Sequence, residues 1–305
     1  MKYITNIKKV IFTSLFASIL LFSSCKDEFL DTSPLDKISS SATWSDGVLT
    51  EAFVFSVYSY LGYGGFEEQM LAAITDEAMF THAGRNIHTF NEGSETPSNL
   101  AWTSGTYSWG NMYSAIRQAN VAIKNIPEAT FEGASLKDKL LGEAHFLRAY
   151  YYQQLMRFYG GVPIIDKPYT LEDDLSIARN SFEETVNFIV SDLDKAASLL
   201  DGKEMSPGRA NKLAALALKS RVLLYAASDL HDASKAPAGF GTELHAYNEG
   251  QESRWQAAQQ AAKAVLDLTS GYKTDLAEPV SVEEGIENAV AIAMGGKSAI
   301  ADAGA

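Results

Sequence analysis

Between residues 136 and 159 the side chains Leu140, Ala144, Leu147, Tyr151, Leu155 and Phe158 recur at steps of 4, 3, 4, 4 and 3. That spacing keeps one face of a 3.6-residue helical period over roughly six turns. A strand could not hold it, because its successive side chains alternate between two faces. Gly160-Gly161 and Pro163 close the stretch: glycine tolerates the left-handed turn past a helix end, and proline cannot continue the helix. A helix this long with one apolar stripe must bury that stripe against other helices, so the rest of the chain is read for its partners.

Partners are present on both sides. Residues 110–126 place Tyr113, Ile116, Asn120 and Ile123 on one face, and Pro127 stops them. Ser181 and Glu184 form a capping box ahead of Phe182, Val186, Ile189, Leu193, Ala197 and Leu200, which run to Asp201-Gly202. Residues 209–228 carry Leu213, Ala217, Ser220, Leu224 and Ala227, and residues 252–268 carry Trp255, Ala258, Ala262 and Val265. Nearer the N-terminus, Ser45 can cap a helix bearing Val48, Ala52, Phe55 and Tyr58 or Ser59, ended by Gly62 and Gly64-Gly65. Only residues 162–165 suggest a strand. The expected fold class is therefore mostly all-α. Helix 136–159 pairs with 181–200 and helix 209–228 with 252–268, in the manner of tetratricopeptide repeats, with the long insertions 160–180 and 229–251 stretching the period.

The chain opens differently. Residues 1–9 carry Lys2, Lys8 and Lys9 and no acid, and an apolar run of 13 residues follows over positions 10–22. A transmembrane helix needs about 20 apolar residues, so this run reads as a secretory signal. The chain's one cysteine, Cys25, stands immediately after Ser23 and Ser24, and the stretch LFSSC resembles a bacterial lipobox, with Phe22 where leucine is usual. Cys25 is thus expected to be the lipidated mature N-terminus. A lone cysteine also excludes an internal disulfide and a thiolate zinc cluster.

Charge narrows the function. Lys plus Arg is 25 against 38 Asp plus Glu, a net charge of −13. Loss of residues 1–24 removes three lysines and no acid, leaving −16. Such a surface repels nucleic acid and anionic membrane, so no nucleic-acid partner is expected and a lipid must hold the chain at any membrane it joins. Hydrolase chemistry finds no motif: there is no G-x-S-x-G, no HExxH and no phosphate loop. The pairs Glu67-Glu68, Asp76-Glu77 and Asp173-Asp174 are adjacent in sequence, which is not the separation of roughly 5–9.5 Å that glycosidic hydrolysis requires. The protein is read as a non-enzyme with no cofactor and no metal; His82 and His88 lie six apart with no cysteine nearby.

Several ordered motifs then agree. GEAHFLRAYYYQQLMRFYGGVPII at 142–165 resembles the central signature of the SusD/RagB family, and GRANKLAALALKSRVLLYAAS at 208–228 resembles its second. WQAAQQAAKAVL at 255–266, DEFLDTSP at 27–34, Trp44 and YSAIRQAN at 113–120 are similar to further family segments. The resemblance spans about residues 20–270. It implies a surface-exposed lipoprotein of the outer membrane that captures an oligosaccharide or polysaccharide and hands it to a SusC-like TonB-dependent transporter. Lys26-Asp27-Glu28 resembles the acidic export signal of such lipoproteins. Family members are longer, with a C-terminal half that completes the ligand face, whereas residues 277–305 hold 8 Ala and 4 Gly and do not resemble it. A truncated gene, a shifted end and a fragment all remain open readings.

The expected organisation is a signal peptide (1–24), a lipidated tether (25–43), a helical domain (44–276) and an atypical tail (277–305). Ligand contacts are expected from the polar loop 82–108, with Trp102 stacking on sugar and Arg85 and Asn99 reading hydroxyls or acids. Trp44, Trp109 and Trp255 are read as packing anchors. The alternatives are an interaction protein of tetratricopeptide type that binds a partner but no sugar, and, less favoured, a glycan-pathway enzyme. Cys25→Ala is expected to release the chain from membranes or leave it unprocessed. Normal cleavage with full membrane retention, in a fractionation followed by mass spectrometry of the N-terminus, contradicts the lipid reading.

Overall fold

The computed structural model describes residues 40–62, 71–85, 87–96, 107–236 and 242–269. Five long helices form the body: α2 (Gly47–Tyr58), α4 (Trp109–Asn125), α5 (Ala134–Tyr159), α6 (Phe182–Leu199) and α7 (Lys212–Ala227), with α8 (Gln251–Thr269) packed on α7. Two short helices, α1 (Ser40–Ser45) and α3 (His88–Asn91), precede α4. Among the described residues there is no strand; Asp232 and Tyr247 form an isolated bridge.

Helix α5 is the spine. It packs against α2, α4 and α6, and Leu140, Ala144, Leu147, Tyr151 and Leu155 are fully buried. The apolar stripe of the sequence is thus the core stripe, with Phe158 at its partly covered end. Helix pairs α5–α6 and α7–α8 pack closely, and α6 against α7 stacks one pair on the next, as the repeat logic requires. Gly142 is where α5 meets the end of α6. A Cβ there would come within 2.7 Å of Leu200 Cγ, so the helix tolerates a glycine in its interior for the sake of that approach.

Caps follow local chemistry. Ser181 Oγ accepts from Glu184 N at 3.1 Å and Glu184 Oε2 accepts from Ser181 N at 2.8 Å, so the capping box forms. At α2 the cap is Asp46, whose Oδ1 accepts from Val48 N and Leu49 N; Ser45 closes α1 instead. A carboxylate suits a helix N-terminus better than a hydroxyl does, because it also meets the partial positive charge there.

Three apolar faces differ from the sequence reading. In α2 the buried face is Thr50, Val54 and Val57, while Val48 is 73% exposed. In α7 it is Ala215, Leu218, Val222, Ala226 and Ala227, of which the sequence stripe held only Ala227, while Leu224 is 52% exposed. In α8, Ala258 and Ala261 are buried and Trp255 is 42% exposed, so Trp255 is no anchor. Each of these helices carries apolar residues around much of its circumference, so periodicity leaves the core-facing side undecided. Trp44 does pack, edge-on to Phe53 at 5.0 Å.

The insertion 160–180 is a strap laid along α4, α5 and α6. Residues 162–165 do not form a strand, because side chains satisfy much of their backbone. Tyr113 Oη donates to Pro163 O at 2.7 Å, Asn120 Nδ2 to Ile165 O at 2.8 Å, and Ile165 N to Tyr152 Oη at 2.6 Å. Beneath the strap lies a buried charge network. Arg148 Nε and Nη2 donate to the two oxygens of Asp192 at 2.7 and 2.8 Å, and His145 Nδ1 lies 2.8 Å from Asp192 Oδ1. Arg148 Nη1 also donates to Asn120 Oδ1 at 2.7 Å and to Asp166 O at 3.1 Å.

Burial pushes the Asp192 carboxyl up, but the hydrogen bonds from His145 and Arg148 and the Arg148 charge outweigh it, so its pKa lies below the ordinary value. A depressed carboxylate contributes stability above its unfolded pKa of about 3.9 and loses that contribution as pH falls through the folded value. Asp192→Asn strands Arg148 in the core, and the expected cost is about 3–5 kcal/mol near neutral pH. Urea unfolding measures it, and the gap to the parent chain is expected to narrow below about pH 4. A pH-independent gap would contradict this assignment.

Candidate ligand face

Adjacent helices run antiparallel, so the start of α4, the end of α5, the start of α6, the end of α7 and the start of α8 meet at one end of the array. Contacts between them are direct. Trp109 opens α4 and meets Tyr159, the last residue of α5, at 5.1 Å edge-on. Gly161 N donates to Leu244 O at 2.7 Å and Phe182 N to Glu243 O at 2.8 Å. The Phe182 ring stacks on His231, just past α7, at 4.1 Å. Gly160 permits this convergence: its φ is +75°, and a Cβ there would lie 2.3 Å from Leu244 O. The described parts of the long insertions therefore begin and end on one face, while the short connections 126–133 and 200–211 lie at the other end.

The loop 82–108 re-enters the body at Tyr107, which is 1% exposed. Its hydroxyl donates to Gly62 O at 2.9 Å and lies 2.8 Å from Tyr150 Oη. Burial, and then the hydrogen bond with Tyr107, push the Tyr150 phenol up, which keeps Tyr150 protonated. Beyond Tyr107 the chain surfaces at once. Trp109 is 37% exposed and packs on Tyr113 at 5.0 Å as well as on Tyr159. The tryptophan read as a packing anchor is therefore half of one: two tyrosines fix its ring while part of it faces solvent.

Of the residues singled out in the sequence, Arg85 is exposed in a turn, and its carbonyl accepts from His88 N at 3.1 Å. It adjoins Ile87, which packs with Ala73 in a small satellite cluster. Asn99, Trp102 and Cys25 lie outside the described residues, so the structure neither brings them to Arg85 nor separates them from it. His88 Nε2 lies 3.0 Å from His82 O, so one of its ring nitrogens meets a backbone carbonyl. Among the described residues no group of three His, Cys, Asp or Glu is placed to hold a metal, and no helix is long and apolar enough to cross a membrane.

Sequence reasoning missed the Trp109–Tyr113–Tyr159 cluster. Its signal was a tryptophan and a tyrosine four apart at a helix start, a spacing that puts both rings on one face; that Tyr159 joins them depends on where the end of α5 lies. The face can do what aromatic and amide-rich surfaces do: stack on the C–H side of a ring and hydrogen-bond to hydroxyls around it. A second recess, of about 690 Å³, lies on α6 between His145 and Lys195 and is lined by Asn187, Ser191 and Ser198; it opens broadly to solvent.

The profile of a SusD-like family, described as starch-binding and associating with the outer membrane, matches residues 28–224. A SusD-like protein of Formosa agariphila is 36% identical over 131 residues, which is 42% of this chain and 25% of that protein. A SusD-like protein of Bacteroides ovatus is 27% identical over 209 residues, 67% of this chain and 37% of that protein. The crystal structure of a SusD-like protein from Bacteroides fragilis superposes with a TM-score of 0.61 at 30% identity, over 83% of this chain and 43% of that one. A laminarin-binding SusD-like protein superposes with a TM-score of 0.50 at 25% identity, over 60% of this chain and 40% of that one. The chain thus spans well under half the length of these relatives.

Tyr150→Phe leaves the Tyr107 hydroxyl with Gly62 O as its remaining partner of the two. The expected cost is about 1 kcal/mol in urea unfolding, with the helical circular dichroism unchanged. A variant as stable as the parent would show that the tyrosine pair does not hold the loop's return point.

Proposed function

We propose the following role for this chain, which belongs to the SusD-like family of starch-binding proteins that associate with the outer membrane: it is a lipid-anchored component that captures a glycan at the loop-bearing end of its helices and passes it to a SusC-like TonB-dependent transporter. Residues 1–24 act as the signal, Cys25 carries the lipid, 25–43 form the tether, 44–276 hold the helical domain and 277–305 trail behind it. No bond of the glycan is broken; the work is equilibrium binding. Each sugar contact is weak, and confinement at a surface raises the effective concentration of neighbouring contacts.

The observation that carries this reading is the family match across the whole run of helices from α1 to most of α7. The partly exposed Trp109 ring, fixed by two tyrosines beside the end of the 82–108 loop, supports the choice of face. Trp102, Asn99 and Arg85 belong to the same loop and complete the proposed contact set. A fixed aromatic ring contributes about 0.5–1.5 kcal/mol to a stacked contact beyond the area it buries.

A second reading is an interaction protein that docks a partner without binding sugar. It draws on the apolar side chains left open on the last helix pair, Leu224 and Trp255. Calorimetry of the full chain with laminarin and with starch separates the two. Binding to either, weakened about tenfold or more by Trp102→Ala or Trp109→Ala with unchanged melting, supports capture. Flat titrations across neutral and acidic glycans remove capture and leave the docking reading.

A further inference from the structure

Helix α8 stands at the end of the described array with one side uncovered. Among the described elements α7 is the one packed extensively against it, and Ala258 and Ala261 are its buried side chains. A different row, Trp255, Gln259, Ala262 and Leu266, steps by 4, 3 and 4 and so shares one face. Trp255 is 42% exposed and Leu266 68%, and Gln259 and Ala262 are exposed as well. A helical array that shows such a row to water needs a further element whose own outer face is polar.

The chain beyond α8 carries the sequence of such an element. Ser281-Val282-Glu283-Glu284 repeats the pattern of Ser181-Phe182-Glu183-Glu184, the capping box that starts α6. The likeness continues in register. In α6 the side chains of Phe182, Thr185, Val186, Ile189, Asp192 and Leu193 are buried. The same places counted from Ser281 hold Val282, Gly285, Ile286, Ala289, Ile292 and Ala293, with no polar side chain among them. Glu283, Glu284 and Glu287 fall on the opposite face, and Gly295-Gly296 ends the run.

Length and direction fit. The connection 270–281 is as long as 200–211, which turns the chain from α6 into α7 at the end of the array that holds the short connections. Helix α8 runs in the same sense as α6 and ends there too, so a helix starting at Val282 returns along α8. The rows 255–266 and 282–293 each extend about 16 Å. In the antiparallel match the small Ala289 and Ala293 come opposite Trp255, and Val282 and Ile286 come opposite Leu266 and Ala262. Charge permits the contact: positions 255–266 hold no acid and one lysine, paired with Asp267, whereas 281–294 hold three glutamates and no base.

We propose that residues 282–294 form a closing helix, laid antiparallel on the row of α8 that runs from Trp255 to Leu266. Neither a second copy of the chain nor a foreign protein accounts for the shared cap, the register and the connection length. The helical domain then extends past residue 276, and any partner that docks at Trp255 must first displace this helix. The closing helix stands independently of glycan capture.

Hydrogen exchange of the full chain, read by mass spectrometry, tests this without any ligand. Amides of 285–294 are expected to exchange at least about tenfold more slowly than the unstructured rate for that sequence. Ile286→Asp on the closing helix and Trp255→Asp on α8 are each expected to return them to that rate, while amides within α6 keep their protection and show that the body is folded. Fast exchange of 285–294 in the parent chain overturns the proposal. Protection that survives both substitutions overturns it as well, because the segment then lies elsewhere. Protection that fades on dilution also overturns it and gives the row to a second copy. Should Trp255→Asp loosen α6 too, Ile286→Asp decides, since it alters no residue of the described body.

Discussion

The two-pronged hydrogen bond between Arg148 and Asp192 is the interaction on which the architecture turns. Both side chains are almost wholly buried, and together they touch three helices and the strap: Asp192 on α6, Arg148 and His145 on α5, Asn120 on α4 and the Asp166 carbonyl. A buried ion pair of this kind adds little stability over a packed apolar pair, but a mismatched arrangement leaves a bare charge in the core. Its effect here is on uniqueness. Alanine-rich and leucine-rich helices can slide or rotate against each other at small cost, whereas only one register of α4, α5 and α6 brings all four polar groups to their partners.

The strap depends on that register. Residues 162–169 lie across the array with their carbonyls taken by Tyr113, Asn120, Arg148 and Arg117, donors carried by α4 and α5. An extended segment covered on one side normally needs a neighbouring strand to satisfy its backbone. Here a row of side chains does so. This also explains the composition of the central signature: its tyrosines and polar residues are buried because they face backbone, with hydroxyls and amides paired, rather than facing other apolar groups.

How much could be read in advance followed from how many independent signals each element carried. Helix α6 had a capping box, a six-residue apolar stripe and an Asp-Gly stop, and its limits agree with the sequence reading to within a residue. Helix α5 had its glycine and proline terminators. Helix α7 had only periodicity, in a segment whose apolar residues surround the axis; the stripe through Ala217 and Leu224 fits the period as well as the true one through Ala215, Leu218, Val222 and Ala226, and only tertiary contact decides between them. The polar network was legible as residues and not as a network. Asn120 reads as one polar position in an apolar stripe, and nothing local says that Arg148 and Asp192, 44 positions apart, will meet. On the ligand face, the loop and its tryptophan were visible from composition. The exposed side of Trp109 required knowing which helix ends converge.

That convergence follows from parity. In an array of antiparallel helices every second connection falls at the same end, so alternating short and long connections separate the two ends by function. At the short end the chain is locked by charge: Arg209 bridges Glu143 and Glu51, Tyr58 Oη donates to Glu143 Oε1 at 2.7 Å, and Lys203 meets Asp138 at 2.8 Å. At the long end the strap and the 229–250 segment are held chiefly through backbone carbonyls and ring stacking, contacts that depend on the path of the chain more than on the identity of its side chains. Loops anchored that way can change their exposed residues without disturbing the helices beneath. An array stiffened at one end by buried charge can therefore carry different ligand preferences at the other, which is the arrangement expected where binding must vary while the scaffold stays fixed.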